Sequence, residues 1–336
     1  MTSRRARRTT TPEPPTRPTL VARCAEDLLA MVPVVLGFHP GESVVLMTFG
    51  AVGRSFHARC DLPRVLEDVD EVVDVLLEPV VRHDVSDAAV IAYADDELVA
   101  DLTVHTLVEA LEAVGVRVRD ALRVTDGRWF RCFPDHPTEE GVPFDIGSHP
   151  FLADSVLRGE VTLESRDELR ASVARDPVAA EAVARSLWSA RPPLEPAQRP
   201  AEVAWALSAV DRALADPDRL TSAVLARLVD GLRDHEVRDH LCFALERPTA
   251  AAHVDLWTRV LRSAPEGRAS GPAVLLAFAA WLAGNGALAW CALDRCFAET
   301  RLDSLALTLA HSLQHGLHPS VWDGTEGGGD PGPDPA

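Results

Sequence analysis

Three residues able to do chemistry stand close together in "LGFHPGESVVLMTF", residues 36–49. His39 could act as a base and Ser43 as a nucleophile, with Glu42 orienting the pair. Such groups must lie within hydrogen-bond reach, which side chains of one short loop rarely achieve by themselves. The other reading is structural. Pro40-Gly41 makes a tight turn, and Glu42 or Ser43 ties down backbone N–H groups that the turn leaves free. The structural reading is the expectation taken forward.

Further polar residues stand at turns. Arg59 and Asp61 close a second strand, where Asp61 suits a helix N-cap and Arg59 could pair with Glu42 or grip an anionic ligand. Arg128 and Trp129 follow an Asp-Gly turn, the first expected in solvent and the second in the core. His311, His315 and His318 read HxxxHxxH, but no Asp, Glu or Cys stands close in sequence to complete a metal site. They are expected as surface histidines near a helix C-terminus, so no metal and no cofactor is assigned. Arg238-Asp239-His240 is expected to be a solvated helix face with a local ion pair. The chain has no phosphate-binding loop, nucleophile elbow, zincin helix or Ca²⁺ loop.

Composition narrows the function classes. The 336 residues are 47% hydrophobic and 25% charged, a globular composition long enough for about two domains. The net charge is −18, although residues 1–19 hold Arg4, Arg5, Arg7, Arg8 and Arg17 against Glu13 alone. An acidic body argues against a broad phosphate-binding face, so no stable nucleic-acid binding is expected. The basic stretch reads as a disordered leader without the apolar core of a signal peptide. All 33 basic residues are Arg, which fits a GC-rich genome and carries no mechanism. Six cysteines are scattered without a CxxC pair, as expected for reduced thiols in a cytoplasmic protein. Residues 269–293 carry no charge, but Gly284-Asn285-Gly286 interrupts them. Two buried helices joined by a tight turn, rather than a membrane span, are expected there.

The elements that position these residues follow from pattern. A helix over 20–32 should be disturbed or ended by Pro33. Ser43–Phe49 and Arg54–Cys60 form a hairpin turning at Gly50 and Gly53, with Phe56, Ala58 and Cys60 on one face and Ser55, His57 and Arg59 on the other. Asp61-Leu62-Pro63 should start a helix reaching about Val81. A strand at Ala88–Tyr93, a helix at Asp96–Val114 ended by Gly115, and a hairpin of Val116–Thr125 with Arg128–Phe133 around Asp126-Gly127 follow. The expected fold is an α+β or mixed α/β domain of about five strands over 20–150, then an all-helical domain over 151–319. Its helices fall at 151–158, 166–189, 200–215, 219–232, 235–246, 250–263, 272–283, 286–298 and 303–316. A tetratricopeptide-like hairpin is expected near 272–298, without the repeated units of a solenoid. Residues 320–336 read as a disordered tail.

"DLLAMVPVVLGFHPGESVVLMTF", "ARCDLP", "GRWF", "VRDH", "LW" at 256–257 and "LLAFAAWLAGNGALAWCALDRC" occur here in the order found in an uncharacterised actinobacterial family. Over about residues 24–322 the chain resembles the domain-of-unknown-function 4192 family. The resemblance implies a cytoplasmic protein of high-GC bacteria and carries over no activity. It places an acidic residue, here Glu42, just before the Ser of the first motif. Members often carry more cysteines after the GRW segment, where "RCFPDHPTEEG" here keeps only Cys132.

Three function classes stay open. They are a non-catalytic binding or regulatory protein, a small-ligand sensor, and an enzyme (a hydrolase among the options) with a site at the strand ends. The sensor and the enzyme share one crevice at the strand ends, with the candidates His39, Glu42, Ser43, Arg59, Asp61 and Arg128, while the binding or regulatory protein would use the helical half as its partner surface. A non-catalytic module with a protein partner or a small anionic ligand, and without membrane attachment, is the expectation.

Overall fold

Residues 43–49 carry a nearly unbroken apolar run, the pattern of a strand covered on both faces. In the computed structural model, which describes residues 20–49, 56–133, 140–159, 161–187 and 193–324, they form β1 (Ser43–Phe49), buried at its first six positions. β2 (His57–Asp61) and β3 (Asp87–Tyr93) flank β1, both antiparallel to it. β4 (Arg117–Thr125) joins β3 in parallel. β5 (Arg128–Arg131) and the short β6 (Val142–Pro143) extend the sheet antiparallel, giving the order β2-β1-β3-β4-β5-β6. The sheet is therefore mixed, with one strand more than the sequence pattern showed. Asp126 and Gly127 both hold positive φ, +47° and +69°, as the tight hairpin between β4 and β5 requires.

Side-chain alternation divides the sheet between two cores. Val44, Leu46, Val90, Ala92 and Ala121 face α2 (Val69–Arg82) and α3 (Glu97–Ala113). Val45, Met47, Ile91 and Leu122 face the other way, toward α1 (Ala25–Leu36) and the C-terminal helices. That second cluster is continuous from the sheet to Trp257, Ala277 and Ala310. The helices that build it are α4 (Pro150–Leu157), α5 (Arg166–Ser172), α6 (Pro177–Ser186), α7 (Arg199–Ala215) and α8 (Ser222–Gly231). They continue as α9 (His235–Phe243), α10 (Ala250–Arg262), α11 (Ser270–Leu282), α12 (Gly286–Glu299) and α13 (Ser304–Gln314). The fold is thus a mixed α/β part followed by a helical part, as expected.

The uncharged stretch forms the expected hairpin. α11 is buried at every position from 271 to 282, and Gly284, at φ +78°, turns the chain into α12, which Asn285 caps. Among the described residues no helix is long and apolar enough to cross a membrane. Gly271 lets α11 approach the end of α8 closely. A Cβ there would stand 2.7 Å from the Leu232 Cβ and 2.8 Å from the Leu232 carbonyl oxygen.

Several expectations are corrected. Pro33 does not end α1, which runs to Leu36 and stops at Gly37, in the left-handed region at φ +79°. The helix tolerates the lost backbone bond because Leu28, Leu29, Val32 and Leu36 anchor it in the core. Asp61 is not a helix cap. β2 runs through it, paired with Ser43, and α2 begins only at Val69 after a 3-10 turn. The periodicity over 166–189 is two helices, because Asp176 accepts the N–H groups of Val178 and Ala179 and starts α6 afresh. Residues 319–324 form a short 3-10 segment in which Trp322 stacks on Phe243. The basic leader at 1–19, the turn bracketed by Gly50 and Gly53, and the rest of the expected tail at 325–336 lie outside the described residues.

Candidate functional site at the strand ends

Ladder register sets out the site. Asp61, Ser43, Tyr93, Val124 and Trp129 are successive partners across β2, β1, β3, β4 and β5. Period-2 alternation therefore puts their side chains on one face of the sheet, the face that meets the helices. His57 and Arg59 lie on that same face of β2. The side of β2 read as polar in the sequence is thus covered by the helical part, not open to solvent.

The GFHPGES turn feeds this row. Phe38 is buried at 1% exposure and bridges to Leu163, while the His39 N–H donates to the Leu163 carbonyl and the Leu163 N–H to the Gly37 carbonyl, each at 2.9 Å. The turn is thereby stitched to the segment preceding α5. Gly37 also packs on the α11–α12 turn, since a Cβ on it would lie 3.8 Å from Asn285 Nδ2. The GFHPGES turn and the Gly284-Asn285-Gly286 turn, far apart in sequence, meet here.

Glu42 serves the structural role offered for this turn. Held at φ +43°, it accepts the Asp95 N–H at 2.9 Å on its carboxylate and the Leu62 N–H at 3.0 Å on its carbonyl. It does not pair with Arg59. Ser43 is fully buried, and its Oγ has no hydrogen-bond partner. No base is hydrogen-bonded to it, and the half-buried His39 ring is among those that are not.

Arg59 is the buried charge of the site, with its side chain 11% exposed. One guanidinium nitrogen pairs with Asp61, another donates to the Gly41 carbonyl at 3.4 Å, and Nε has no partner. Burial presses Arg59 below its usual pKa, Asp61 opposes that shift, and nearby Arg166 adds to it. Asp61 also binds Arg166, the first residue of α5, at 3.0 Å. Burial alone would raise the Asp61 carboxyl, but the two guanidiniums outweigh it and hold it below the usual range. One carboxylate thus links two arginines, one from the sheet and one from the helices. Below them lies Cys291, 2% exposed, its thiol pushed up by burial while Arg166, Arg170 and Arg59 pull the other way.

Arg128 does not join this group. It stands at the start of β5, four strands from β2, or roughly 19 Å at ordinary strand spacing. Its Nε donates to the Gly141 carbonyl at 2.9 Å. The structure therefore gathers His39, Glu42, Ser43, Arg59 and Asp61 at one sheet corner and leaves Arg128 apart. The expected core position of Trp129 holds, with its indole N–H donating to Glu26 at 3.2 Å.

Sequence reasoning missed Arg166, Tyr93 and His57. Tyr93 is the chain's only tyrosine, beside Ser43 in the row, with its phenol pKa raised by burial. His57 Nδ1 is buried without a partner, and burial lowers the ring to about 4. The alternation of residues 56–60 placed His57 and Arg59 together, but only the overlying helices make that face buried. Nothing in the sequence pairs Arg166 with Asp61, 105 positions away.

Two other expectations concern metals and ions. Among the described residues no group of three or more His, Cys, Asp and Glu is arranged to hold a metal ion. His311 and His315 contact each other at 3.0 Å on α13, and His315 also meets Glu78 of α2 at 2.9 Å. Arg238 is not solvated. It is 2% exposed and pairs with Asp303, 3% exposed, and with Asp239. A surface groove runs along α2 past Asp74, Leu77, Glu78, Val81 and Arg82, away from the strand ends.

No curated protein and no solved structure matches the chain. A family model described as "Domain of unknown function (DUF4192)" matches residues 26–320, most of the chain, and the protein belongs to that family.

Proposed function

We propose that this protein is a non-catalytic binding module that takes a small anionic ligand at the corner formed by the GFHPGES turn, the end of β2 and α5. The observation that carries the reading is the sharing of Asp61 by Arg59 and Arg166. The cluster keeps a net positive charge inside a chain of net charge −18. Two buried donors, Ser43 Oγ and Arg59 Nε, lack partners on the same face. Buried polar groups are nearly always satisfied, so orphans beside a cationic pair favour an unfilled acceptor position. A catalytic role would call for a base on Ser43, and the site offers recognition groups instead. The six cysteines, all free thiols, support placing the protein in a reducing cytoplasm.

A thermal-shift titration of the full chain with inorganic phosphate tests this. The melting midpoint should rise with a saturating dependence, by linkage worth about 2.7 kcal/mol at a hundredfold excess over Kd. The rise should vanish in both Arg59→Gln and Arg166→Gln. An equal rise in wild type and both variants, or none in wild type or in variants lacking Asp61, rejects the site.

A further inference from the structure

We infer that Asp61 is a built-in competitor at this site, occupying the position of an incoming dianionic oxyanion of the phosphate class and swinging out when that anion binds. The inference rests on the reading of the corner as an anion site.

The geometry separates fixed from movable partners. The Arg59 side chain is 11% exposed and is tied to the Gly41 carbonyl, and Arg166 is 27% exposed. Asp61, the acceptor between them, is 65% exposed. Arg59 is therefore held by the protein and Arg166 is mostly buried, while the carboxylate faces water. Asp61 is the last residue of β2, and its backbone stays in the ladder through Ser43 whatever its side chain does. A rotation about χ1 moves the carboxylate into solvent without breaking a strand.

Charge decides what displaces it. Arg59 and Arg166 carry two positive charges against the single negative charge of Asp61. The other carboxylates of the corner are committed elsewhere: Glu42 to the Asp95 N–H and Asp167 to Arg170 at 3.1 Å. Asp294 lies close enough to influence Cys291, where Arg166, Arg170 and Arg59 also act. A monoanion replacing Asp61 gains nothing in charge. A dianion neutralises both guanidiniums, and a tetrahedral oxyanion presents acceptors to both and to the unpaired Arg59 Nε and Ser43 Oγ.

The sign of one substitution separates this role from a plain salt bridge. If Asp61 competes, neutralising it strengthens anion binding. Calorimetric titration of inorganic phosphate into wild type, Asp61→Asn and Asp61→Ser is the measurement, with thermal melts showing that each variant folds. Both variants should bind phosphate about tenfold or more tightly than wild type, because a fixed negative charge leaves the site. Wild type that binds too weakly to measure, beside variants that bind with an Arg166 requirement, also supports the inference. A parallel arm with phenyl phosphate distinguishes the ligand's source. A gain with inorganic phosphate alone points to the free ion, and a gain with both points to a phosphate monoester. Equal or weaker binding in both variants, with Arg166-dependent binding kept in wild type, overturns the competitor role and leaves the site standing. No Arg166-dependent binding in any of the three proteins removes the site itself.

Discussion

Arg238 of α9 and Asp303, the N-cap of α13, form an ion pair in which each side chain is at most 3% exposed. Asp303 also accepts the Ala306 N–H at 3.0 Å, so one carboxylate starts a helix and neutralises a buried guanidinium. Asp239 accepts from Arg238 Nε at 2.9 Å and Nη2 at 2.8 Å.

Removing one member leaves the other charged and dry. Arg238→Ala should destabilise the protein by about 3–5 kcal/mol, because Asp303 stays buried without its counter-charge, and Asp303→Ala by less, because Asp239 still pairs with the guanidinium. The double replacement Arg238→Met with Asp303→Ser, which keeps a cap, should be much milder than either single change. Urea unfolding of the four proteins checks this. Losses below about 1 kcal/mol in both single variants would mean that water reaches the pair.

His57 sets a pH dependence. Burial lowers its pKa from 6.5 to about 4 in the folded protein. Between those values the unfolded chain binds the extra proton, so stability rises with pH. The contribution is whole above pH 6.5 and is lost as pH falls toward 4. Going from pH 7 to pH 4.5, wild type should lose roughly 2–3 kcal/mol more than His57→Gln. Parallel acid limbs in the two proteins would show that the ring charges freely in the folded state.

Gly37 and Gly271 should resist substitution for different reasons. Gly37→Ala forces a Cβ into the left-handed region, costing about 1–2 kcal/mol. Gly271→Ala drives a methyl into the Leu232 backbone, with no flexible side-chain end to give way. Overpacking of this kind costs about 1–3 kcal/mol. By contrast His39→Ala, which breaks no side-chain hydrogen bond, should leave the melting midpoint nearly unchanged.

Thiol chemistry should be slow throughout. Cys132 and Cys296 are pushed up to about 12 by burial, and Cys242 higher still. Cys24 is exposed; the Asp27 backbone N–H favours its thiolate, but burial and the Glu26 and Asp27 carboxylates prevail and raise it. Iodoacetamide at pH 7.5 should modify Cys24 first and slowly, and all six cysteines only after denaturation. Rapid native labelling of Cys132, Cys242 or Cys296, read by mass spectrometry, would contradict their burial.

The sheet was legible because its signals are local. The apolar run of β1, the Asp126-Gly127 turn and the Asp96 cap each act within a few residues. The errors arise where tertiary packing overrides a local rule. Pro33 should break a helix, yet the buried leucines around it hold α1 together. Asp61 has every local mark of a cap, yet Ser43 and two arginines claim it for the sheet. Arg238 beside Asp239 reads as a surface pair, and only Asp303, 65 positions on, reveals its burial. The candidate corner was half visible for the same reason. Its turn and strand residues are contiguous, while Arg166 arrives through long-range packing that no periodicity encodes.

The inner face of the sheet has a consequence for synthesis. Val45, Met47, Ile91 and Leu122 are covered by a core whose later members extend to Ala306, Leu309 and Ala310. A ribosome finishes that face, with only α1 ready to pack on it, long before it makes the rest of the cover. At 5–20 residues per second the sheet waits roughly ten seconds or more, greasy side out, for α11–α13 to emerge. Slowing translation across residues 150–300 should therefore raise aggregation rather than relieve it.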